Sequence, residues 1–243
     1  VAYRGSRFHG FAENPGVATI GGSLRAALEK VLREPIALTA AGRTDAGVHA
    51  SGQVVSFRTT SERFDPGRLE QSLNRLCAPD IVVRDLLEVD SDFDARFSAT
   101  ARRYEYTLNV SPRSDPLRIG LEWHVGSELD VDAMNQAATA FCGDHDFTSF
   151  CRRPKDRPDA SLMRHVSEAV WNREQDSRLV FTVSANAFCH QMVRSLVGFC
   201  VSVGRGLHRA EQVTEVLAAR SREAGARVAP PEGLVLVDVS YDA

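Results

Sequence analysis

The sequence predicts an α+β protein of two ferredoxin-like (RRM-like) halves, their antiparallel sheets joined side by side with an active-site cleft between them. Two observations lead to this class. Hydrophobic periodicity over residues 1–103 orders the elements as β-α-β-β-α-β, and the same order recurs over residues 104–243. A chain of 243 residues, 43% hydrophobic and 25% charged, also suffices for two small domains that each bury a core.

Val1 to Tyr3 reads as a clipped first strand. Ser23 precedes Leu24, Ala27, Leu28, Val31 and Leu32, whose spacing lays one apolar stripe along a helix with Ser23 as its N-cap. Ile36 to Ala40 and Gln53 to Phe57 read as strands. Asp65-Pro66 opens a second helix, with Leu69, Leu73 and Leu76 on one face, and Ile81 to Val89 follows as a strand. In the second half, Tyr104 to Val110 is a strand. Asp130 caps a helix with Met134, Ala137, Ala138 and Phe141 inward and Gly143 at its end. Strands follow near 166–171 and 178–184. Phe188, Met192, Leu196, Phe199 and Val203 form the stripe of a long helix ending at Gly204. An inserted helix carries Val213, Val216 and Leu217, Leu234 to Tyr241 is the last strand, and the polar segments 111–128 and 144–164 are expected as rim loops.

Composition narrows the class of function. No apolar run approaches the roughly 18 to 20 residues of a transmembrane helix and nothing resembles a signal peptide, so we expect a cytoplasmic, soluble protein. Five widely spaced cysteines, Cys77, Cys142, Cys151, Cys189 and Cys200, include no Cys-x-x-Cys pair and are expected as buried thiols. The sharpest metal grouping, Cys142, His145, Cys151 and His165, matches no recurring ligand spacing, and we expect no metal. The net charge of -3 does not advertise a nucleic-acid binder. Distribution matters more: Lys30 and Lys155 are the only lysines, and Arg152, Arg153, Lys155, Arg157 and Arg164 cluster in one stretch. Arg102 with Arg103, and Arg205, His208 and Arg209, form smaller groups. Arginine suits forked phosphate contacts, although each cluster alone could equally be a solvated loop.

The most informative stretch is Ala41-Gly-Arg-Thr-Asp-Ala-Gly-Val-His-Ala50. Side chains alternate in an extended segment, so Arg43 and Asp45 project to one side and Thr44 to the other. Gly42 and Gly47 leave room for a bulky group to approach the carboxylate. Taken alone, the stretch reads equally as a glycine-bracketed turn with an Arg43–Asp45 surface ion pair. Three further segments carry groups of interest. In Arg102-Arg103-Tyr104-Glu105-Tyr106 the tyrosines share a strand face, which core packing also explains. Arg194 lies in an apolar helix, where burial would require a carboxylate partner and exposure would not. Leu234, after Pro230-Pro231-Glu-Gly, could wall a pocket or simply edge the core.

Together these segments resemble the tRNA pseudouridine synthase A (TruA) family over nearly the whole chain. The resemblance is carried by Ala2-Tyr-Arg-Gly-Ser, Gly42 to His49, Phe93 through Tyr106, Gly143 to Phe150, Ala187 to Arg194 and Ala229 to Leu234. It implies isomerisation of uridine to pseudouridine at positions 38, 39 and 40 of the tRNA anticodon stem-loop by a homodimer without metal or cofactor. The family's catalytic aspartate falls on Asp45, which would act on C6 of the base or C1' of the ribose, or support a glycal route. The active-site tyrosine falls on Tyr104, stacked on the flipped uracil, and Arg194 matches the arginine paired with the carboxylate. Arg43 would fill the space of the extruded base and Leu234 would wall the ring. Arg102, Arg103, Arg152 and Arg153 would contact the tRNA backbone. The chain departs from the family pattern at Arg4, at Phe11-Ala12, at Cys77-Ala78-Pro79 and at Asp94, all outside the catalytic set. Two other functions stay open: an RNA-binding protein without catalysis, and a pseudouridine synthase acting at another RNA position.

Overall fold

The computed structural model describes residues 1–153, 159–174 and 177–241. The chain divides into two compact units, one of Val1–Thr100 together with the chain from Val235 on, the other of Ala101–Leu234. The architecture is mixed α/β with mainly antiparallel strand pairing and, among the described residues, five α-helices.

The first unit contains β1 (Ala2–Tyr3), α1 (Ile20–Leu32), β2 (Leu38–Ala40), β3 (His49–Ala50), β4 (Val55–Phe57), α2 (Pro66–Cys77) and β5 (Ile81–Val82). Its principal ladder runs β5-β1-β3 antiparallel, and β3 continues in parallel register onto the last strand of the chain, Val235 opposite His49. A separate antiparallel pair joins β2 to β4. Helices α1 and α2 pack together through Leu24, Leu28 and Leu32 on one side and Leu69 and Leu73 on the other, all buried. Asp65 caps α2 as expected, accepting from the Arg68 amide at 2.9 Å with proline at the first helical position.

The second unit is built from β6 (Ala99–Asn109), β7 (Trp123–His124), α3 (Val131–Thr139), β8 (Gly143–Asp146), β9 (Met163–Arg173), β10 (Arg178–Ala185), α4 (Met192–Gly204) and α5 (Gln212–Ala219). The chain then closes with β11 (Leu234–Tyr241). Strands β6-β10-β9-β8 form an antiparallel ladder in which Tyr104 lies opposite Val183 and Tyr106 opposite Phe181. Helix α3 packs on β9 and on α4. The core is aromatic: Trp171 stacks on Phe181 at 4.9 Å, and Phe141, Phe150 and Phe199 meet edge to face.

Several boundaries differ from the sequence reading, each for a local reason. Helix α1 is capped by Thr19, whose side chain accepts from the Gly22 amide at 3.2 Å, so Ser23 lies inside the first turn. The expected strand 81–89 stops at Val82 because the Asn74 side chain takes both backbone groups of Val83 and Asp85 turns at φ 55. Strand β3 lies in a stretch expected as loop. Helix α3 ends at Thr139, and Gly143, at φ 100, opens β8 instead. Phe188 is outside α4, because Gln191 at φ 65 interrupts the helical path before Met192. The segments expected as rim loops contain β7 and β8. The cysteines are corrected too: Cys151 and Cys189, 38 residues apart with Cα atoms 5.7 Å apart, form a disulfide, which spacing along the chain did not reveal. Cys77, Cys142 and Cys200 are free.

Candidate active site

The loop between β2 and β3 carries Gly42 through Val48, and its conformation follows from close backbone contacts. Ala41 donates to the Val54 carbonyl at 2.9 Å, and Val48 donates back to the Asp45 carbonyl at 3.1 Å. This closes a four-residue turn whose third position, Gly47, takes φ 83, a conformation that a Cβ disfavours. Gly10 passes so near that an added Cβ would sit 2.8 Å from the Thr44 oxygen, while the Phe11 amide donates to that same oxygen at 3.0 Å. Side-chain alternation is present: Arg43 is exposed, Thr44 buried and Asp45 half-buried.

Behind the loop lies a buried polar cluster that sequence reasoning did not single out. Gln53 holds Gly42 on both sides, its Nε2 donating to the Gly42 carbonyl at 2.6 Å and its Oε1 accepting from the Gly42 amide at 3.3 Å. The same Nε2 reaches the Tyr3 hydroxyl at 3.3 Å, and Tyr3 Oη lies 2.8 Å from Thr44 Oγ1. Burial pushes the Tyr3 phenol up to about 12. The only advance signal was a glutamine opening the stretch Gln53 to Phe57, of which only Val55–Phe57 forms the strand.

In the second unit Tyr104 is buried on β6, edge-on to Phe188 with ring centroids 5.1 Å apart. Tyr106 shares its face, and its hydroxyl donates to the Pro230 carbonyl at 2.8 Å. Arg194 sits in the first turn of α4, half-buried. Its Nε donates to the Ala229 carbonyl at 2.8 Å, and the Ala229 amide donates to the Arg194 carbonyl at 3.0 Å. Segment 229–234 is further fastened to β6, since Thr107 donates to the Gly233 carbonyl at 2.9 Å. A Cβ on Gly233 would sit 2.7 Å from the Tyr106 ring. Leu234, which ends that segment, is buried. Asp45 and Arg43 belong to the first unit, and Tyr104, Arg194 and Leu234 belong to the second.

The basic side chains divide by environment. Arg102 is only 8% exposed and donates from Nη1 to the Asn186 carbonyl at 2.8 Å, so it lies largely inside the second unit. Arg103 is exposed and paired with Glu168 at 2.9 Å. Arg152 and Arg153 are exposed, with Arg153 reaching the Ala160 carbonyl at 3.4 Å. Burial lowers the Arg164 guanidinium's proton affinity, and Lys155 and Arg157 lie outside the described residues. Among the described residues no three His, Cys, Asp or Glu side chains gather as a metal site requires. None of the described helices is long and apolar enough to cross a membrane.

Comparison with known proteins adds an independent line. The chain is 40% identical over 236 residues to tRNA pseudouridine synthase A of Halalkalibacterium halodurans, covering 97% of this chain and 88% of that one. It is 42% identical over 242 residues to the protein of that name from Shewanella piezotolerans, covering 99% and 91%. A relative of the same name in Leifsonia xyli subsp. xyli is 39% identical over 262 residues, covering 99% and 90%. The model of the tRNA pseudouridine synthase family matches residues 1–98 and 137–242. With the Asp45 loop and the Arg194 helix both inside the matched residues, the chain belongs to the tRNA pseudouridine synthase family.

Proposed function

We propose that the protein is an isomerase that converts uridine to pseudouridine in tRNA, at positions 38, 39 and 40 of the anticodon stem-loop. The observation that carries the reading is the presentation of Asp45: the only carboxylate of a glycine-bracketed loop, half-buried, on a segment whose neighbour Thr44 is anchored inward. Membership of the family supports the reaction.

In this reading Asp45 is the nucleophile and acts on a nucleotide flipped out of its stack. The bond between N1 and C1' breaks, the uracil turns, C5 bonds to C1', and the C5 proton is lost while N1 gains one. Attack at C6, attack at C1' and a glycal route all satisfy this balance. Tyr104 stacks on the uracil and takes the C5 proton. Arg194 pairs with Asp45 and orients it, which its Nε bond to Ala229 supports by orienting the guanidinium. Arg43 occupies the place of the extruded base, and Leu234 walls the ring. Arg103, Arg152 and Arg153 bind tRNA phosphates; Arg102, largely buried, supports the same face through Asn186. Residues 1–103 are the ferredoxin-like half with the catalytic Asp loop, and 104–243 the ferredoxin-like half with the inserted helix and the RNA-facing loops. The ladder order β6-β10-β9, with α3 between the first and second of these in sequence, supports that fold in the second half. The protein works as a cytoplasmic homodimer, without metal or cofactor.

The test incubates pure protein with unmodified tRNA carrying tritium at C5 of uridine, then maps pseudouridine by carbodiimide primer extension. Tritium release with stops at 38, 39 and 40 is expected. Binding without release at high enzyme would leave an RNA-binding protein, and stops elsewhere would move the target.

A further inference from the structure

We infer that Gln53 is a positioning residue for Asp45, acting through a hydrogen-bond chain that runs Gln53 to Tyr3 to Thr44 behind the loop. The inference rests on the reading of Asp45 as nucleophile. The direction of its first link follows from donor counting. Gly42 donates to one end of the Gln53 amide and accepts from the other, so that amide has one orientation only. Its Nε2 can only donate, and therefore the Tyr3 hydroxyl accepts. The Tyr3 hydroxyl and Thr44 Oγ1, 2.8 Å apart, share the next hydrogen bond, which either hydroxyl can donate.

All three side chains are buried, Gln53 at 1% exposure, so water cannot replace a lost partner cheaply. Such a chain holds as a unit. Thr44 immediately precedes Asp45, and its carbonyl is held by the Phe11 amide while its side chain is held by Tyr3. Two residues earlier, Gly42 is clamped by Gln53 on both backbone groups. The start of Asp45 is thus fixed from two directions, leaving the carboxylate to rotate about a stationary backbone. A misplacement of about 1 Å at a reacting group costs roughly 100-fold in rate, so the chain belongs to the chemical step rather than to tRNA capture.

The test is single-turnover tritium release with enzyme in excess of C5-labelled tRNA, read as amplitude, rate constant at saturation and tRNA affinity. Thr44→Val should lower the rate constant about 10- to 100-fold with amplitude kept and affinity changed less than about 2-fold. Thr44→Ser, which restores the acceptor, should recover most of the rate. Gln53→Glu cannot donate to Gly42 or Tyr3 and should fall as Thr44→Val does. Should Thr44→Val not fold, Tyr3→Phe removes the same hydrogen bond and is judged identically. A wild-type rate constant in these variants, or a lost amplitude with unchanged rate constant, overturns the inference provided Asp45→Asn is inactive alongside. Asp45→Asn at the wild-type rate would instead sink the nucleophile reading and the inference with it.

Discussion

Arg194 and Ala229 exchange two hydrogen bonds, Nε to carbonyl at 2.8 Å and amide to carbonyl at 3.0 Å, and this reciprocal pair joins the start of α4 to segment 229–234. One turn further along α4, Gly198 faces the Arg227 carbonyl so closely that an added methyl would collide with backbone. Gly198→Ala should therefore push residues 227–229 away and take the Arg194 acceptor with them. We expect a stability loss of about 1 to 3 kcal/mol in urea unfolding and a fall in single-turnover rate. Unchanged values for both would show that the segment yields without cost.

Asp45→Asn should abolish turnover while leaving tRNA affinity within about 2-fold, because the amide keeps the shape and loses the nucleophile. The loop's anchors are backbone groups and the side chains of Tyr3, Thr44 and Gln53, so the variant should also melt near the wild-type temperature. Filter binding, tritium release and a thermal melt on one preparation decide it, and near-wild-type release would exclude Asp45 from covalent chemistry.

Tyr104→Phe preserves the edge-on contact with Phe188 and removes only the hydroxyl. If that hydroxyl takes the C5 proton, the rate should fall by about 100-fold with affinity intact. A wild-type rate would restrict Tyr104 to stacking and packing.

Arg152→Ala with Arg153→Ala should weaken tRNA binding and flatten its dependence on salt. Each lost phosphate contact removes about 0.7 to 0.9 from the slope of log affinity against log salt concentration. Because Arg102 is largely buried, Arg102→Ala should instead lower thermal stability more than the slope. A double variant with an unchanged slope would place the Arg152–Arg153 loop away from the RNA.

Stability should decline in alkali, and Tyr3 should account for part of the decline. An unfolded tyrosine ionises near pH 10, whereas the buried Tyr3 phenol keeps its proton up to about pH 12. Its contribution is therefore full below pH 10 and is lost as the pH rises from 10 to 12, by about 2 to 3 kcal/mol. Burial raises Tyr106 also, in the same direction. Urea unfolding at pH 9 and pH 11.5 should show a smaller drop for Tyr3→Phe than for wild type. Equal drops would contradict the assignment.

What could be read in advance was what local chemistry encodes. Asp65-Pro66 announced α2 because cap and first turn are neighbours in sequence, and the alternation of Arg43, Thr44 and Asp45 needed only the geometry of an extended chain. Thr19 was hidden as a cap by the two glycines after it; Gly21 is tolerated because the Phe11 backbone packs where its Cβ would be. Phe188 kept helical spacing with Met192, yet one left-handed residue at Gln191 sends its ring to Tyr104 instead. The Tyr3–Gln53–Thr44 cluster and the Cys151–Cys189 pair join positions distant in sequence, and only tertiary structure reports such meetings. The unusual Asp94 has a local reason: its carboxylate accepts from the amides of Arg96 and Phe97 at 2.8 and 2.9 Å, shaping the turn before β6. Likewise Phe11, another departure from the family pattern, is a buried ring 6.2 Å from Tyr3.

The parallel pairing of β3 with β11 bears on the order in which the molecule can be made. Strand β3 begins one residue after Val48 closes the Asp45 turn, and its partner, Val235 and Leu236, leaves the ribosome after β1 to β10 and α1 to α5. A nascent chain can assemble α1, α2 and β1 early, yet the strand paired beside the Asp45 loop waits for translation to reach Val235. The loop beside β3 therefore gains this support only after residues 51 to 234 have been made, and a product truncated before Val235 would carry Asp45 without the neighbour that steadies it.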